Sequence, residues 1–326
     1  MGAFTPPSGG PSGGQHVSSV VFLDVAAREG EAAAMKLLPR LASSSSSAST
    51  SRHGGPRLKV VSFGLYGSAA KYNVGAIRNA ELMAVYYPGW VARFYCDFAS
   101  VPKELRAQLE ALGAQVVDAS VVEAGAGLLG ARPNVGEAPF PLFARFLVAS
   151  DPNVERFVCR DADSRLNFRE RAAVEAWIMS GKGAHSMRDH PNHAKPLNAG
   201  MWGGTSGALG EDMPKLVRDF RTTWGFKYGV DQTFLNEVIW PLIAHDQISH
   251  DAFSCRKDFG VTPAALKGMF EYGRPFPTAR RRDGQHVGQV FDEFERPRKD
   301  MATRKNAGMK SGRRDDCWSP CCPPAP

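Results

Sequence analysis

Hydrophobic and polar positions switch between two periods along most of this chain, and the switches define its elements. Leu58-Lys-Val-Val-Ser-Phe-Gly-Leu-Tyr-Gly67 is an apolar run that ends on glycines, which predicts a strand followed by a loop. Tyr72–Tyr86 then places Val74, Ile77, Leu82, Met83 and Tyr86 at helical spacing. Val91–Cys96 reads as a second strand, Pro102–Leu112 as a helix closed by Gly113, and Gln115–Asp118 as a third strand. This β-α-β-α-β order predicts an α/β domain with a mostly parallel sheet flanked by helices. After a Gly/Pro-rich connection (Gly125–Pro141), Leu142–Ser150 reads as a helix and Phe157-Val158-Cys159 as a short buried strand. Arg169–Ser180 follows as a helix with Asn167 at its N-cap. Tyr228–Trp240 is amphipathic, with Val230, Phe234, Leu235, Val238 and Ile239 on its apolar side.

The two ends break the pattern. Residues 1–56, with Pro6–Gly14 and the serine run Ser43–Ser47, lack the apolar density that offsets ordering entropy, so they read as a disordered or targeting region. The apolar patch Ser18–Ala27 is interrupted by Asp24 and too short to span a bilayer. No transmembrane segment is expected in any of the 326 residues, and the expected location is the cytoplasm, with organellar targeting by residues 1–56 the alternative. The domain is expected over 57–294 and a disordered basic tail over 295–326. The net charge of +7 sits mostly at that end: twelve Lys and Arg stand against seven Asp and Glu from Arg274 onward. The middle of the chain is close to neutral, so no nucleic-acid partner is expected. The six cysteines form no Cys-x-x-Cys or Cys/His set with zinc spacing.

Candidate chemistry gathers after the short strand at Cys159. Arg160-Asp-Ala-Asp-Ser-Arg165 falls at a strand's C-terminal end, where ligands bind in open α/β sheets. Side chains alternate on a strand, so Asp161 and Asp163 can turn to one point only if the strand ends between them. They would then share a hard cation, Mn2+ or Mg2+, that keeps positions open for phosphates. The loop Phe63–Gly67 should lie at the same edge, and it lacks both a G-x-G-x-x-G and a P-loop lysine. His185, His190 and His193 straddle Pro191 with no regular ligand geometry and read as a surface loop. Leu197–Gly204 is a small-residue turn with a single Trp202, able to approach and stack on a sugar. Asp231 and Gln232 open a helix, where a carboxylate also serves as a simple cap.

Asp161-Ala-Asp163, Asn198-Ala-Gly200 and Asp231-Gln-Thr-Phe-Leu-Asn236 together resemble the Asp-x-Asp, Asn-Ala-Gly and Asp-Gln segments of glycogenin-like, GT-A-fold glycosyltransferases, in that family's order. The resemblance covers roughly residues 58–294. It implies a GT-A type, Rossmann-like fold and a hexosyltransferase-like enzyme. It also implies a nucleotide-sugar donor, an acceptor hydroxyl on a glycan, protein or small molecule, and transfer with retention. Asp161 and Asp163 would be metal ligands, completed by His250 or by His286, whose His-Val-Gly288 resembles the family's His-x-Gly. The Lys-Pro-Trp that commonly follows is absent, with Gln289-Val-Phe-Asp292 in its place. By the same resemblance Phe63, Gly64 and Tyr66 would line base and ribose. Arg160 or Arg165 would assist a phosphate, and Asn198 and Gly200 would lie on the donor sugar. Asp189, Asp231 and Gln232 would face the transferred sugar or the acceptor. Two other classes compete: a haloacid-dehalogenase-like phosphatase, whose strand also ends in Asp-x-Asp, and a non-catalytic binder of sugars or polyanions. Arg165 stands where the phosphatase pattern wants Thr or Val.

Overall fold

The computed structural model describes residues 18–44, 57–125, 141–193, 195–224, 229–252, 273–280 and 285–298. The Gly/Pro-rich connection over 126–140, Cys255 and the tail beyond 298 lie outside them.

Three short helices come first: α1 (Ser19–Arg28), α2 (Glu31–Met35) and α3 (Leu38–Ser44). Ser18 caps α1, its hydroxyl accepting from the Val21 amide at 3.4 Å. Phe22, Ala26, Ala34, Leu38 and Leu41 are buried in one cluster with Phe168 and Ala172. Residues 18–44 of the region expected to be disordered or targeting are therefore helical and packed against the domain. Their apolar side chains recur at helical spacing, and the stripe is covered by the domain rather than by solvent.

The domain is a seven-stranded sheet in the order β3-β2-β1-β4-β6-β5-β7. β1 (Leu58–Leu65), α4 (Ala70–Tyr86), β2 (Val91–Cys96), α5 (Lys103–Ala111) and β3 (Gln115–Asp118) follow the expected alternation. Gly113 closes α5 with φ +84°, a conformation that favours glycine. The short helices α6 (Ala119–Gly125) and α7 (Pro141–Ala144) and a 3-10 turn (Leu147–Ser150) lead into β4 (Val154–Arg160). The single helix expected over 142–150 is thus two short turns; the chain bends at Arg145 and Phe146 to deliver both side chains inward.

α8 (Phe168–Ser180) starts at Asn167, whose side chain accepts from the Glu170 amide as expected for its N-cap. β5 (Ala184–Arg188), β6 (Met201–Thr205), α9 (Met213–Trp224) and α10 (Val230–Phe234) follow. α10 continues through a π-helical turn (Leu235–Ile239) into α11 (Trp240–Ile243), and β7 (Gln247–Asp251) completes the sheet. Four of the six pairings are parallel, and β6 alone runs antiparallel to both neighbours. The sheet is therefore mostly parallel and flanked by helices, as the alternation predicts. No helix among the described residues is long and apolar enough to cross a membrane.

Three local expectations are corrected here. β1 continues to Leu65, so Phe63 and Gly64 belong to the strand; Phe63 is fully buried and stacks on Phe94 with centroids 4.7 Å apart. His185 lies in β5, stacked on Trp177, instead of in a surface loop. Trp202 lies in β6, buried edge-on against Phe157 and Phe146, so it has no face for a sugar. In each case a central strand covered on both faces accepts a large side chain wherever it points.

Candidate active site

The chain order reverses between β1 and β4, which are adjacent and parallel. Such a switch point opens a crevice at the strands' C-terminal ends. β4 ends at Arg160, and Asp161, Ala162 and Asp163 form the turn just beyond it. Arg160 pairs with Met201 at the start of antiparallel β6, so Asn198-Ala199-Gly200 arrives at the same edge.

Contact between these two segments is direct. A Cβ on Gly200 would collide with the Asp161 carboxylate and its amide nitrogen. Only glycine leaves room for that approach. The third segment is tied in from α10. The Gln232 side chain accepts from the Ala199 amide at 3.1 Å and donates to the Leu197 carbonyl. One turn on, the Asn236 side chain accepts from the Leu197 amide at 3.1 Å and donates to its carbonyl at 3.0 Å. Residues four apart share a helix face, so Gln232 and Asn236 clamp the 197–199 loop together. The three segments singled out in the sequence therefore meet at one place.

Arg145 joins them, and nothing in the sequence pointed to it. Its guanidinium donates to Asp161 at 2.5 Å, to Asp231 at 3.2 Å and to the Arg160 carbonyl at 3.2 Å. Burial opposes its charge, but Asp161 and then Asp231 raise its pKa above the ordinary value. The Ser62 hydroxyl in β1 donates to its carbonyl at 2.7 Å, which fixes the backbone at the bend. Asp163 is held by Lys71, from the first turn of α4, at 2.7 Å. Burial and then Asp161 push the Asp163 carboxyl above its usual range. Two carboxylates compressed this way favour a shared cation.

Among the described residues, Asp161, Asp163 and Asp231 pair with two protein cations, Arg145 and Lys71. The Asp161 side chain stays 48% exposed, so an oxygen remains open to the crevice. This donor set fits a hard divalent cation that takes one or two carboxylates and completes its shell with phosphate and water. No group of three or more His, Cys, Asp or Glu among the described residues stands ready as a metal cage.

The two histidines expected as third ligands are placed otherwise. His250 is buried in β7, 3.0 Å from the His185 ring nitrogen. His286 is buried with its Nδ1 2.9 Å from the Val287 carbonyl, its ring stacked on His190 at 4.6 Å and 5.3 Å from His193. Neither is gathered with Asp161 and Asp163. Asp189 is engaged by other partners. It is fully buried and accepts from Arg169 at 2.9 and 3.0 Å, from Arg280 at 2.9 Å and from the Val287 amide at 3.0 Å. Burial raises its pKa, but Arg169 and Arg280 outweigh that and hold it at about 2.

Neither arginine of the motif faces the crevice. Arg160 is buried against Glu170 at 2.6 Å, and Arg165 forms a fork with Glu295 at 2.8 and 3.1 Å. Tyr66, beyond the end of β1, is half-buried near Tyr72, and Asn198 is buried with its amide 3.5 Å from the Met187 and Lys195 carbonyls. The boundary expected at 294 cuts a folded turn, because the Arg298 amide donates to the Val290 carbonyl.

No family model matches the chain, and no curated protein does. Among solved structures it is similar to glucosyl-3-phosphoglycerate synthase from Mycobacterium tuberculosis, in complex with Mn2+, uridine diphosphate and glucosyl-3-phosphoglycerate. That match has 14% identity over 59% of this chain and 69% of the other, with a TM-score of 0.36. A mycobacterial protein matches at 16% identity over 65% and 70%, TM-score 0.37. Mannosyl-3-phosphoglycerate synthase from Rubrobacter xylanophilus matches at 12% identity over 47% and 55%, TM-score 0.31.

Proposed function

We propose that this chain is a GT-A-type glycosyltransferase that moves a sugar from a nucleoside-diphosphate sugar to an acceptor hydroxyl, using a divalent cation. The observation that carries the reading is that Arg145, buried at the switch point, binds Asp161 and Asp231 together, while Gly200 packs on Asp161 and Gln232 ties the Leu197–Ala199 loop to the same place. Asp161 and Asp163 would hold Mn2+ or Mg2+ there. A cation so bound stabilises the charge that gathers on the leaving diphosphate, the main electrostatic demand of glycosyl transfer.

The chain's own groups do the rest. Arg145 fixes Asp161 and Asp231 with respect to each other, so the metal-side carboxylate and the sugar-side carboxylate keep one geometry. Asp231 accepts a hydroxyl of the transferred sugar. Gln232 and Asn236 hold the 197–199 backbone as the floor under it, and Gly200 leaves the space. Tyr66, at the crevice edge beyond β1, lies against the base or ribose. Retention of the anomeric configuration follows from the resemblance to glycogenin-like enzymes.

Thermal shift of the full chain against a panel of nucleoside diphosphates and their sugars, with and without Mn2+, tests this. The expected result is a Mn2+-dependent rise for one nucleoside that Asp163→Ala abolishes. A folded protein that shifts with no nucleotide under either condition overturns the reading.

A further inference from the structure

Lys71 belongs to none of the segments that drew attention in the sequence, yet it occupies one of their carboxylates. It lies in the first turn of α4, just after the loop that leaves β1, and β1 is the parallel neighbour of β4. Its ammonium donates to Asp163 at 2.7 Å and stands 4.2 Å from the Tyr72 ring centre. Its side chain is 27% exposed, whereas that of Arg145, on Asp161, is 3% exposed.

The two cations differ in what they can do. Arg145 is enclosed, and its guanidinium is committed to two carboxylates and a carbonyl. Lys71 presents a point charge on a flexible, partly exposed stem, with one carboxylate partner. Asp163 is buried while Lys71 is partly exposed, so the ammonium can leave that carboxylate when another cation takes its place. The exchange has a direction: a divalent cation on Asp163 repels the ammonium, and the nearest new anion is whatever arrives with that cation. Lysine on a phosphate is a recurrent pairing.

Resting on the glycosyltransferase reading, we propose that Lys71 is a tethered counter-cation. In the nucleotide-free protein it neutralises Asp163 in place of a divalent cation; once that cation binds, Lys71 moves to the donor's diphosphate. It thereby keeps the carboxylate pair from binding metal tightly until a nucleotide is present, and it supplies a positive charge at the leaving group afterwards.

The test is a pair of titrations on the full chain. Free Mn2+ followed by electron paramagnetic resonance should show Lys71→Met binding Mn2+ about five-fold more tightly than wild type without nucleotide. Calorimetry on the Mn2+-loaded proteins should show UDP binding about ten-fold weaker in Lys71→Met, with Lys71→Arg close to wild type. A purely structural pair gives the opposite first result, because an unsupported Asp163 binds Mn2+ less well. Unchanged or weaker Mn2+ binding in Lys71→Met, or unchanged UDP binding, overturns the role of Lys71 and leaves the glycosyltransferase reading standing. Absence of Mn2+ binding from both proteins overturns both.

Discussion

Arg145 is the residue on which the site depends and the one its sequence concealed. It lies inside Leu142–Ser150, an apolar stretch whose simplest reading is one helix, and an arginine there reads as a solvated side chain. Its role exists only because two turns bend the chain inward and because β4 and α10 bring Asp161 and Asp231 within 3.2 Å of it. In Arg145→Met the two carboxylates lose their shared cation, and an uncompensated buried charge costs about 3–5 kcal/mol. A melting temperature lowered with EDTA and partly restored by Mn2+ is the expected outcome, since an added cation replaces the lost charge. Equal losses in both conditions, measured by calorimetric melting, would show Arg145 acting through packing alone. Asp161 and Asp163 were legible because a strand end is visible in local sequence. Arg160, Asp189 and Phe63 were misplaced for the complementary reason: polarity or aromaticity beside a motif does not say which way the side chain turns. Arg160 turns to Glu170, Asp189 to two arginines and Phe63 to Phe94.

Among the elements, those with local determinants were read closely, and those set by distant partners were not. β2 and β3 have the bounds their apolar runs give, and α8 starts where Asn167 caps it. The glycines of β6 fit a turn by sequence, yet Gly203 and Gly204 pack against Phe157 and Val158 of β4 as strand residues. The segment 285–298 carries no periodicity, and its position is set by Asp189. That carboxylate ties Arg169 of α8, Arg280 and the Val287 amide together, while the Phe291 amide reaches the Asp163 carbonyl at 2.9 Å. Asp189→Asn removes a fully buried charge that two half-buried guanidiniums face, at a cost of about 3–5 kcal/mol. The expected result is a melting temperature lower by on the order of 10 °C. Faster hydrogen exchange over 285–291 should accompany it, with turnover per folded molecule largely kept. A kcat that collapses while exchange and melting stay at wild-type values would return Asp189 to the chemistry.

At the scale of the whole molecule, the mostly parallel sheet is legible in the alternation of periods, whereas the strand order within it and the docking of 18–44 are not. Composition judged that region by its serines and glycines, whereas Phe22 and Ala26 answer to Phe168 and Ala172 more than a hundred residues away. The same long-range burial gives the fold a predictable response to acid. His185 and His250, from β5 and β7, share one hydrogen bond at 3.0 Å between ring nitrogens, which requires one of the two nitrogens to be unprotonated. Burial holds the His250 pKa down at about 3, and burial followed by His250 holds His185 well below its ordinary value. Unfolding exposes both at about 6.5. Below that pH the unfolded chain binds protons that the folded one refuses, so stability is complete above about pH 6.5 and falls as pH drops toward 3. The slope is about 1.4 kcal/mol per pH unit for each histidine. His193, lowered by burial and by His286, acts in the same direction. Asp189 adds a second loss only further down, between about pH 4 and its folded value of about 2. Urea denaturation from pH 8 to 4.5 should therefore give a plateau above neutrality and a steady decline beneath it. Replacing both strand histidines, as His185→Gln with His250→Gln, should flatten the decline even if it lowers the plateau. A decline of unchanged slope in that variant would place the acid sensitivity elsewhere in the molecule.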